Sequence, residues 1–148
     1  AKVLHLRNAD SSTPDGAAWN FPAGHGGKLA IRMRLEPHFG GAQLSLTDRF
    51  FDPCDDQGEE QATYSLAVTA RGDLSYTAQL RTDSWNEIEL VWGPNGACRV
   101  YLNEQLVKTL SQRFPAENGV NYLRLRSQAT SATEGGFQVE SVSVMLDD

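Results

Sequence analysis

The fold class is decided by one stretch, Trp85-Asn-Glu-Ile-Glu-Leu-Val-Trp-Gly-Pro-Asn-Gly-Ala-Cys-Arg-Val-Tyr-Leu-Asn-Glu-Gln-Leu-Val-Lys-Thr-Leu110. Its first eight residues alternate between two faces with a period of two, which is typical of a half-buried strand. Gly93-Pro-Asn-Gly96 then supplies turn residues, and the chain reverses again around Asn103-Glu104. The stretch therefore predicts three short strands joined by two tight turns.

The same period recurs along the rest of the chain. In residues 28–38 one face carries Leu29, Ile31, Met33 and Leu35. Shorter alternating runs occupy 42–47, 62–69 and 120–126, and the last run, 137–146, changes phase near Ser141 as at a β-bulge. No ten-residue stretch shows a helical stripe. About ten or eleven strands with turns every 8–12 residues predict one all-β domain over 1–148, an antiparallel sandwich or barrel.

Composition and charge exclude some partners. The 148 residues carry a net charge of -6, and residues 48–60, here called the acidic loop, hold most of it. This acidity and the lack of a basic tail argue against nucleic acid. No apolar run approaches the roughly 18 residues that cross a membrane. Because the chain starts at Ala1 rather than Met, we expect a mature or excised chain from a secreted protein, extracellular or periplasmic.

The chain has two cysteines, Cys54 and Cys98, and no Cys-x-x-Cys pair. A secreted protein could join them in a disulfide, which would attach the acidic loop to the strands of the opening stretch. Two free thiols are the other interpretation. Two cysteines carry no spacing information, so both interpretations stay open.

The order Trp, alternating strand, turn, Val-Tyr-Leu, polar turn and apolar strand resembles concanavalin A-like (laminin G-like) jelly rolls. Asn103-Glu104 stands where that family often has Asp-Gly, at a solvent-exposed turn. The resemblance spans about 27–146 and implies a two-sheet antiparallel jelly-roll sandwich, with edge strands from 3–7 and 19–21. Accessory sandwiches of this kind occur beside the catalytic domains of bacterial sialidases and other polysaccharide-active enzymes.

Catalysis on this fold calls for particular side chains. Some related glucanases use a Glu-x-Asp-x-Glu strand, whose carboxylates share one face and flank a glycosidic bond. The nearest segment is Glu87-Ile-Glu89-Leu-Val91, where Val91 replaces the third carboxylate. Lyases of this fold use a Tyr with His, Arg or Gln, but Tyr122 and His38 have no diagnostic spacing. We therefore expect a noncatalytic protein, with a polysaccharide lyase or glycoside hydrolase as the alternative.

Arginines form the main candidate for ligand binding. Ten of the 13 basic residues are Arg, the side chain suited to bidentate recognition of carboxylates. If two of the strands share a sheet, four guanidinium groups would converge near a tyrosine, as a site for uronic, sialic or sulfated sugars. The predicted ligand residues are Arg32, Arg34, Tyr122, Arg124 and Arg126. A solvated face with cross-strand ion pairs, or a contact surface for another domain or subunit, would also fit.

The acidic loop is the candidate metal site. Carboxylate oxygens are the ligands that Ca²⁺ prefers, and modules of the resembled family often hold a structural calcium near the rim. The predicted ligands are Asp48, Asp52, Asp55, Asp56 and Glu59. A solvated run of charges is the alternative. The loop also carries the adjacent aromatics Phe50 and Phe51, which indicate a contact surface.

The sequence thus favours a lectin-like accessory module of an extracellular carbohydrate-active protein. Its expected partners are a glycan or polysaccharide, with an anionic sugar favoured by the arginines, or a catalytic domain of the same parent protein. A structural or assembly domain without a ligand is a further alternative.

Overall fold

The structure, a computed structural model, describes residues 3–7, 15–54, 57–131 and 133–147. These ranges contain ten strands and one four-residue helix. The elements are β1 (Leu4–Leu6), β2 (Gly16–Gly24), β3 (Gly27–Leu35), β4 (Ala42–Thr47), α1 (Gln57–Glu60), β5 (Tyr64–Val68), β6 (Trp85–Trp92), β7 (Ala97–Leu102), β8 (Gln105–Ser111), β9 (Val120–Ser127) and β10 (Phe137–Leu146).

The strands form two antiparallel sheets packed face to face. The six-stranded sheet has the order β1-β10-β3-β6-β7-β8, and the four-stranded sheet has the order β2-β9-β4-β5. The first and last strands of the chain are neighbours in the larger sheet. The predicted all-β sandwich of two antiparallel sheets is confirmed. No described segment is a helix with the length and apolarity to span a membrane.

The core lies between the two sheets and follows the alternation of the sequence. On β3 the predicted inner residues are all buried, while the intervening Lys28 and Arg32 are exposed. Burying an aliphatic side chain of this size contributes about 1.5–3 kcal/mol, so each strand gains most from its inner face. Trp92 is 3% exposed, packs against Phe21 and donates its indole N–H to the Gly24 carbonyl at 3.1 Å. Trp92 shares the inner face of β6 with Ile88 and Leu90, so its burial follows from the alternation of that strand.

The change of phase near Ser141 is a register shift in β10. Val139 pairs with Met33, and the next paired residue is Ser141, opposite Arg32, so Glu140 is the extra residue of a bulge. Beyond the shift, Val142 and Val144 return to the inner face beside β3. The bulge therefore allows one long strand to keep its apolar side chains toward the core despite the broken alternation.

The turn between β7 and β8 is tight and uses left-handed backbone. Asn103 has φ 48° and Glu104 has φ 75°, a conformation that asparagine tolerates better than glutamate. Asn103 also joins the turn to β6, because its side-chain oxygen accepts the N–H of Glu87 at 2.9 Å and its own N–H donates to the Glu87 carbonyl at 2.8 Å. The asparagine is therefore needed here, whereas the glutamate is conformationally costly.

Replacing Glu104 with glycine is expected to raise the free energy of unfolding by about 1 kcal/mol, because glycine adopts positive φ without a Cβ clash. The matched change at Gln105, in β8, is expected to lower it, because glycine weakens a strand. Urea denaturation of both variants measures the difference. A less stable Glu104→Gly protein would contradict the assignment of strain to this residue.

Candidate functional site

The outward side of the four-stranded sheet is polar, and we call it the polar face. Its side chains alternate with core residues such as Leu123 and Leu125, so they point away from the interior. The strand register aligns them in cross-strand rows. One row contains Gly16, Arg126, Gln43 and Ala67, and the next contains Ala18, Arg124, Ser45 and Ser65.

The acidic loop lies across this polar face. Arg124 projects outward from the sheet and is nevertheless only 1% exposed. Its guanidinium donates hydrogen bonds to the backbone carbonyls of Asp52 and Pro53, both at 3.3 Å. A buried guanidinium with several donors suits this arrangement, since it can bind carbonyls and a carboxylate at once. Arg124 therefore acts as an anchor for the loop.

Two glycines allow the loop to approach the sheet closely. A Cβ atom at Gly16 would lie 2.6 Å from the carbonyl oxygen of Pro53. A Cβ atom at Gly58, in α1, would lie 2.7 Å from Nε of Arg124. Both distances are shorter than van der Waals contact, so a larger residue at either position would push the loop away from the polar face.

Glu59 completes the contact between loop and sheet. Its Oε1 lies 3.7 Å from Nη1 of Arg124 and 3.6 Å from Nη1 of Arg126, and it accepts a hydrogen bond from Nε2 of Gln128 at 2.8 Å. Arg126 is 7% exposed, so this ion pair lies largely away from water. A pair in such surroundings is weakly screened by salt. The predicted metal ligand Glu59 therefore serves as an ionic partner of two arginines.

The predicted ligand residues do not form one cluster. Arg32 and Arg34 belong to β3 in the six-stranded sheet, whereas Tyr122, Arg124 and Arg126 belong to β9 in the four-stranded sheet. The expected convergence of four guanidinium groups is therefore wrong, because the two strands lie in opposite layers with the core between them. Glycan binding by these residues stays a prediction, and only Tyr122 of the β9 set is partly accessible.

The outward side of the six-stranded sheet carries cross-strand pairs. The guanidinium of Arg32 lies 5.6 Å from the ring centroid of Trp85 and 2.8 Å from Glu140. Lys28 lies 3.0 Å from Glu89, and a hydrogen bond to that carboxylate raises the pKa of the Lys28 ammonium. This surface thus resembles the paired, solvated face that was one interpretation of the arginine pattern.

Phe50 lies at the margin of the polar face. It is 59% exposed, and its ring meets that of Tyr122 edge-on with centroids 5.9 Å apart. Neighbouring Arg49 is exposed and forms two hydrogen bonds with Asp48, at 3.0 and 3.2 Å. Phe50 is therefore exposed, and its ring contacts a residue of the same chain. A contact surface formed by Phe50 and Phe51 stays a prediction.

The predicted calcium ligands have other partners where they are described. Asp48 pairs with Arg49, and Asp52 accepts the N–H of Cys54 at 2.9 Å. Asp55 and Asp56 lie outside the described residues. Within the described ranges no cluster of three or more His, Cys, Asp or Glu side chains is placed to hold a metal. Calcium binding at Asp48, Asp52, Asp55, Asp56 and Glu59 stays a prediction.

The two cysteines are free thiols. Cys54 is exposed in the acidic loop, and Cys98 is buried on β7. Burial raises the pKa of the Cys98 thiol to about 12. Of the two interpretations left open by the sequence, the unpaired one describes this structure.

An open cleft of about 770 Å³ lies beside β5, the edge strand of the four-stranded sheet. We call it the tyrosine cleft. Its polar lining includes Arg71, Asp73, Tyr76, Gln79 and Lys108. Leu74 and Ala78 are buried below it, and the side chain of Tyr76 is fully exposed.

Hydrogen bonds fix the segment that forms the tyrosine cleft. The N–H of Asp73 donates to Oγ1 of Thr69 at 3.0 Å, and Nε2 of Gln79 donates to the Arg71 carbonyl at 2.6 Å. Lys108 reaches across from β8 and donates to the Leu74 carbonyl at 3.3 Å, which uses one of the three N–H donors of its ammonium group. These hydrogen bonds hold the segment in one conformation, and they leave two N–H donors of Lys108 for a ligand.

Sequence reasoning did not identify the tyrosine cleft. Residues 71–73 have the composition of a turn, and Lys108 belongs to a strand more than thirty residues away. The one available signal was Tyr76, an aromatic residue in a stretch of small and polar residues with no apolar alternation around it. Such a residue has no core face to join, which favours exposure.

No protein-family model matches the chain, and neither does any curated protein. Several solved structures share its fold. A sialidase superposes with a TM-score of 0.67 at 12% identity, over 90% of this chain and 14% of the sialidase chain. The galectin LEC-6 of Caenorhabditis elegans has a TM-score of 0.61 at 13% identity, over 97% of this chain and 95% of the galectin.

An alginate lyase from Corynebacterium sp. also shares the fold, with a TM-score of 0.51 at 16% identity over 87% of this chain and 61% of the lyase. This chain therefore spans about a seventh of the sialidase chain but nearly the whole galectin. Identities this low show the fold alone. The chain therefore has the two-sheet antiparallel jelly-roll fold that the resemblance in its sequence implied.

Proposed function

We propose that this chain is a noncatalytic glycan-binding module and that the tyrosine cleft is its binding site. The observation that carries the proposal is the combination of an open cleft of about 770 Å³ with a fully exposed tyrosine and charged side chains. Ligand sites are concave and combine an apolar surface with a few polar groups that fix orientation. The fold similarity to a galectin and to a sialidase supports this class of ligand.

Each side chain has a separate role in this proposal. The ring of Tyr76 offers a flat surface for the C–H face of a sugar ring. Arg71 and Lys108 supply donors for hydroxyl or carboxylate oxygens, and Asp73 accepts from sugar hydroxyl groups. With two cationic groups and one anionic group, the lining favours a glycan that carries a carboxylate, such as a uronic or sialic acid.

The acidic loop covers the arginines of β9 and so removes them as an alternative site. Because Arg124 and Arg126 are buried beneath it, an anionic sugar would meet the cations of the tyrosine cleft rather than those of β9. The proposal thus still favours an anionic sugar, as the sequence did, but it assigns the binding to Arg71 and Lys108. Accessory packing on a catalytic domain, secretion and a structural calcium remain proposals that follow from the sequence resemblance.

Substituting Tyr76 with alanine is expected to weaken glycan binding about tenfold, and Arg71→Ala about equally, since exposed Tyr and Arg side chains commonly dominate binding energy. A glycan array of uronic and sialic acid oligosaccharides identifies the ligand, and calorimetry measures the dissociation constants. The matched control for the aromatic change is Phe114→Ala, an exposed aromatic outside the cleft.

Some outcomes would reject this assignment. If Tyr76→Ala binds as the unchanged protein does while Tyr122→Ala or Arg34→Ala does not, the site lies with the residues predicted from the sequence. If no glycan binds, packing on a partner domain is the better proposal. Turnover of a polysaccharide by the chain would show that it is an enzyme. Repeating the array in EDTA tests calcium, because loss of binding there would indicate a required ion.

A further inference from the structure

The six-stranded sheet has an edge that its terminal strand covers only in part. β1 pairs with β10 over residues 137–139, although β10 continues to Leu146. Among the described residues nothing else pairs with β10 on that side, so its second half presents backbone N–H and carbonyl groups to a further strand. We call residues 141–146 the open edge.

The terminal strands of both sheets carry features that oppose pairing with another chain. β8 has Lys108 at its centre, β2 contains Pro22, β1 is only three residues long, and β5 is only five. The open edge, Ser-Val-Ser-Val-Met-Leu, has neither a charge nor a proline. Because edges without these features pair readily with other strands, this segment is suited to a partner strand.

The side chains of the open edge alternate between the two sides of the sheet. Val142, Val144 and Leu146 pack against the core, yet they stay partly accessible at this margin of the sandwich. Beside them, Trp19 of β2 and Val142 line a groove of about 330 Å³. A partner strand would cover this groove with its own apolar side chains. The partner strand should therefore alternate apolar residues with small or polar ones.

The open edge of a second copy has this pattern. Opposite residues of antiparallel strands share a face, so a two-fold axis at Val144 gives a consistent register. On the inner face Val144 then lies opposite its own copy, and Val142 lies opposite Leu146. On the outer face Ser143 lies opposite Met145. This ladder stays clear of β1, which pairs with the start of β10, and it brings no like charges together.

We propose that the chain forms a two-fold dimer through antiparallel pairing of its open edges. The dimer joins the two six-stranded sheets into one continuous sheet and covers the groove beside Trp19 in each copy. A ladder this short buries less than the roughly 1,200 Å² of a standard interface. We therefore expect a reversible dimer with a dissociation constant of about 10–100 µM.

Sedimentation equilibrium over a concentration range of about 1 µM to 1 mM measures this association. The double variant Ser143→Lys with Met145→Lys places two ammonium groups opposite each other in both symmetry-related pairs. Association is expected to weaken at least about tenfold, because like charges directly opposite each other destabilise paired strands. Both side chains are exposed in the single chain, so these changes leave the core of the fold intact.

Two further variants separate loss of pairing from misfolding. Ser143→Glu with Met145→Glu is expected to associate as weakly as the lysine variant when alone. An equimolar mixture of the two variants is expected to form heterodimers, since opposite charges then face each other. Thr109→Lys with Ser111→Lys, exposed on β8 at the opposite edge of the same sheet, is the matched control and should dimerise normally.

Several results would overturn the proposal. A chain that stays monomeric up to about 1 mM would do so, and it would leave the open edge to an extended segment of another protein. A dimer that persists in the lysine variant, a mixture without heterodimers, or loss of the dimer in the β8 control would each contradict it as well. The tyrosine cleft lies beside β5, at the far edge of the other sheet, so Tyr76→Ala is expected to dimerise normally whatever its effect on glycan binding.

Discussion

Replacement of Arg124 with methionine is expected to lower the free energy of unfolding by about 3 kcal/mol and to release the acidic loop. Arg124 is buried on the outward side of its sheet, where it binds the carbonyls of Asp52 and Pro53 and pairs with Glu59. Breaking a buried ion pair typically costs about 3–5 kcal/mol. We expect the lower end of that range, because Glu59 keeps its contacts with Arg126 and Gln128.

Urea denaturation measures the stability change, and limited chymotrypsin digestion measures release of the loop. Chymotrypsin is expected to cut near Phe50 and Phe51 faster in the variant, since cleavage requires the loop to leave the sheet. Arg124→Lys should lower stability by an intermediate amount. Its ammonium group keeps the charge, but it lacks the planar set of donors with which the guanidinium binds two carbonyls and a carboxylate together.

Arg49→Met is the matched control for this experiment. Arg49 lies in the same loop, but it is exposed and pairs with its sequence neighbour Asp48. Its loss should leave both urea stability and digestion unchanged, as is common for surface ion pairs. If Arg124→Met behaved like Arg49→Met, the anchoring role of Arg124 would be wrong.

Thiol reagents are expected to modify one cysteine per folded chain and two per unfolded chain. Cys54 is exposed, whereas Cys98 is completely buried on β7. Modification of Cys98 therefore has to wait for unfolding, which should slow it by a factor on the order of 10³ or more relative to Cys54. The Cys54→Ser variant isolates the slow site, and a fast reaction in that variant would contradict the burial of Cys98.

The same thiol should reduce stability in alkaline solution. The pKa of Cys98 is raised from 9.0 to about 12 because burial disfavours the thiolate. Between these two values the unfolded chain has lost the thiol proton while the folded chain still holds it. Stability is therefore unaffected by this group below pH 9 and falls as the pH rises toward 12, by up to about 4 kcal/mol.

Comparing the unchanged chain with Cys98→Ala measures this contribution together with any change at Tyr64, whose pKa is raised by burial and, less strongly, by Cys98. Denaturation in urea at pH 8 and at pH 10.5, with a reductant present, gives the four stabilities. The fall between the two pH values is expected to be larger for the chain that retains Cys98. Equal falls would show that the thiol does not contribute to the pH dependence.

Much of the fold could be predicted from local patterns. The alternation in residues 28–38 marks β3, and the change of phase near Ser141 marks the bulge of β10. Trp92 could be placed in the core because it shares a face with Ile88 and Leu90. These predictions succeed because a strand presents its side chains to two faces in turn, and burial of the apolar face dominates its energetics.

The candidate sites were harder to predict. The alternation shows that the side chains of Arg32 and Arg124 both point away from the core. It does not show which sheet each strand joins. Likewise, it cannot show that Arg124 is covered again by the acidic loop. The tyrosine cleft requires Lys108 to lie beside the turn at residues 71–73, which depends on how the edge strands β5 and β8 approach each other.

The sequence by itself determined the all-β class, the strands with their inner faces and the jelly-roll resemblance, because these depend on periodicity and turn chemistry within short segments. Only the tertiary structure decided that the arginines lie in two layers, that the acidic loop covers Arg124 and Arg126, and that Tyr76 stands over an open cleft. The physical reason is the range of the interactions. The alternation of apolar and polar side chains depends on neighbouring residues in the sequence, whereas a binding surface depends on contacts between residues far apart in the chain.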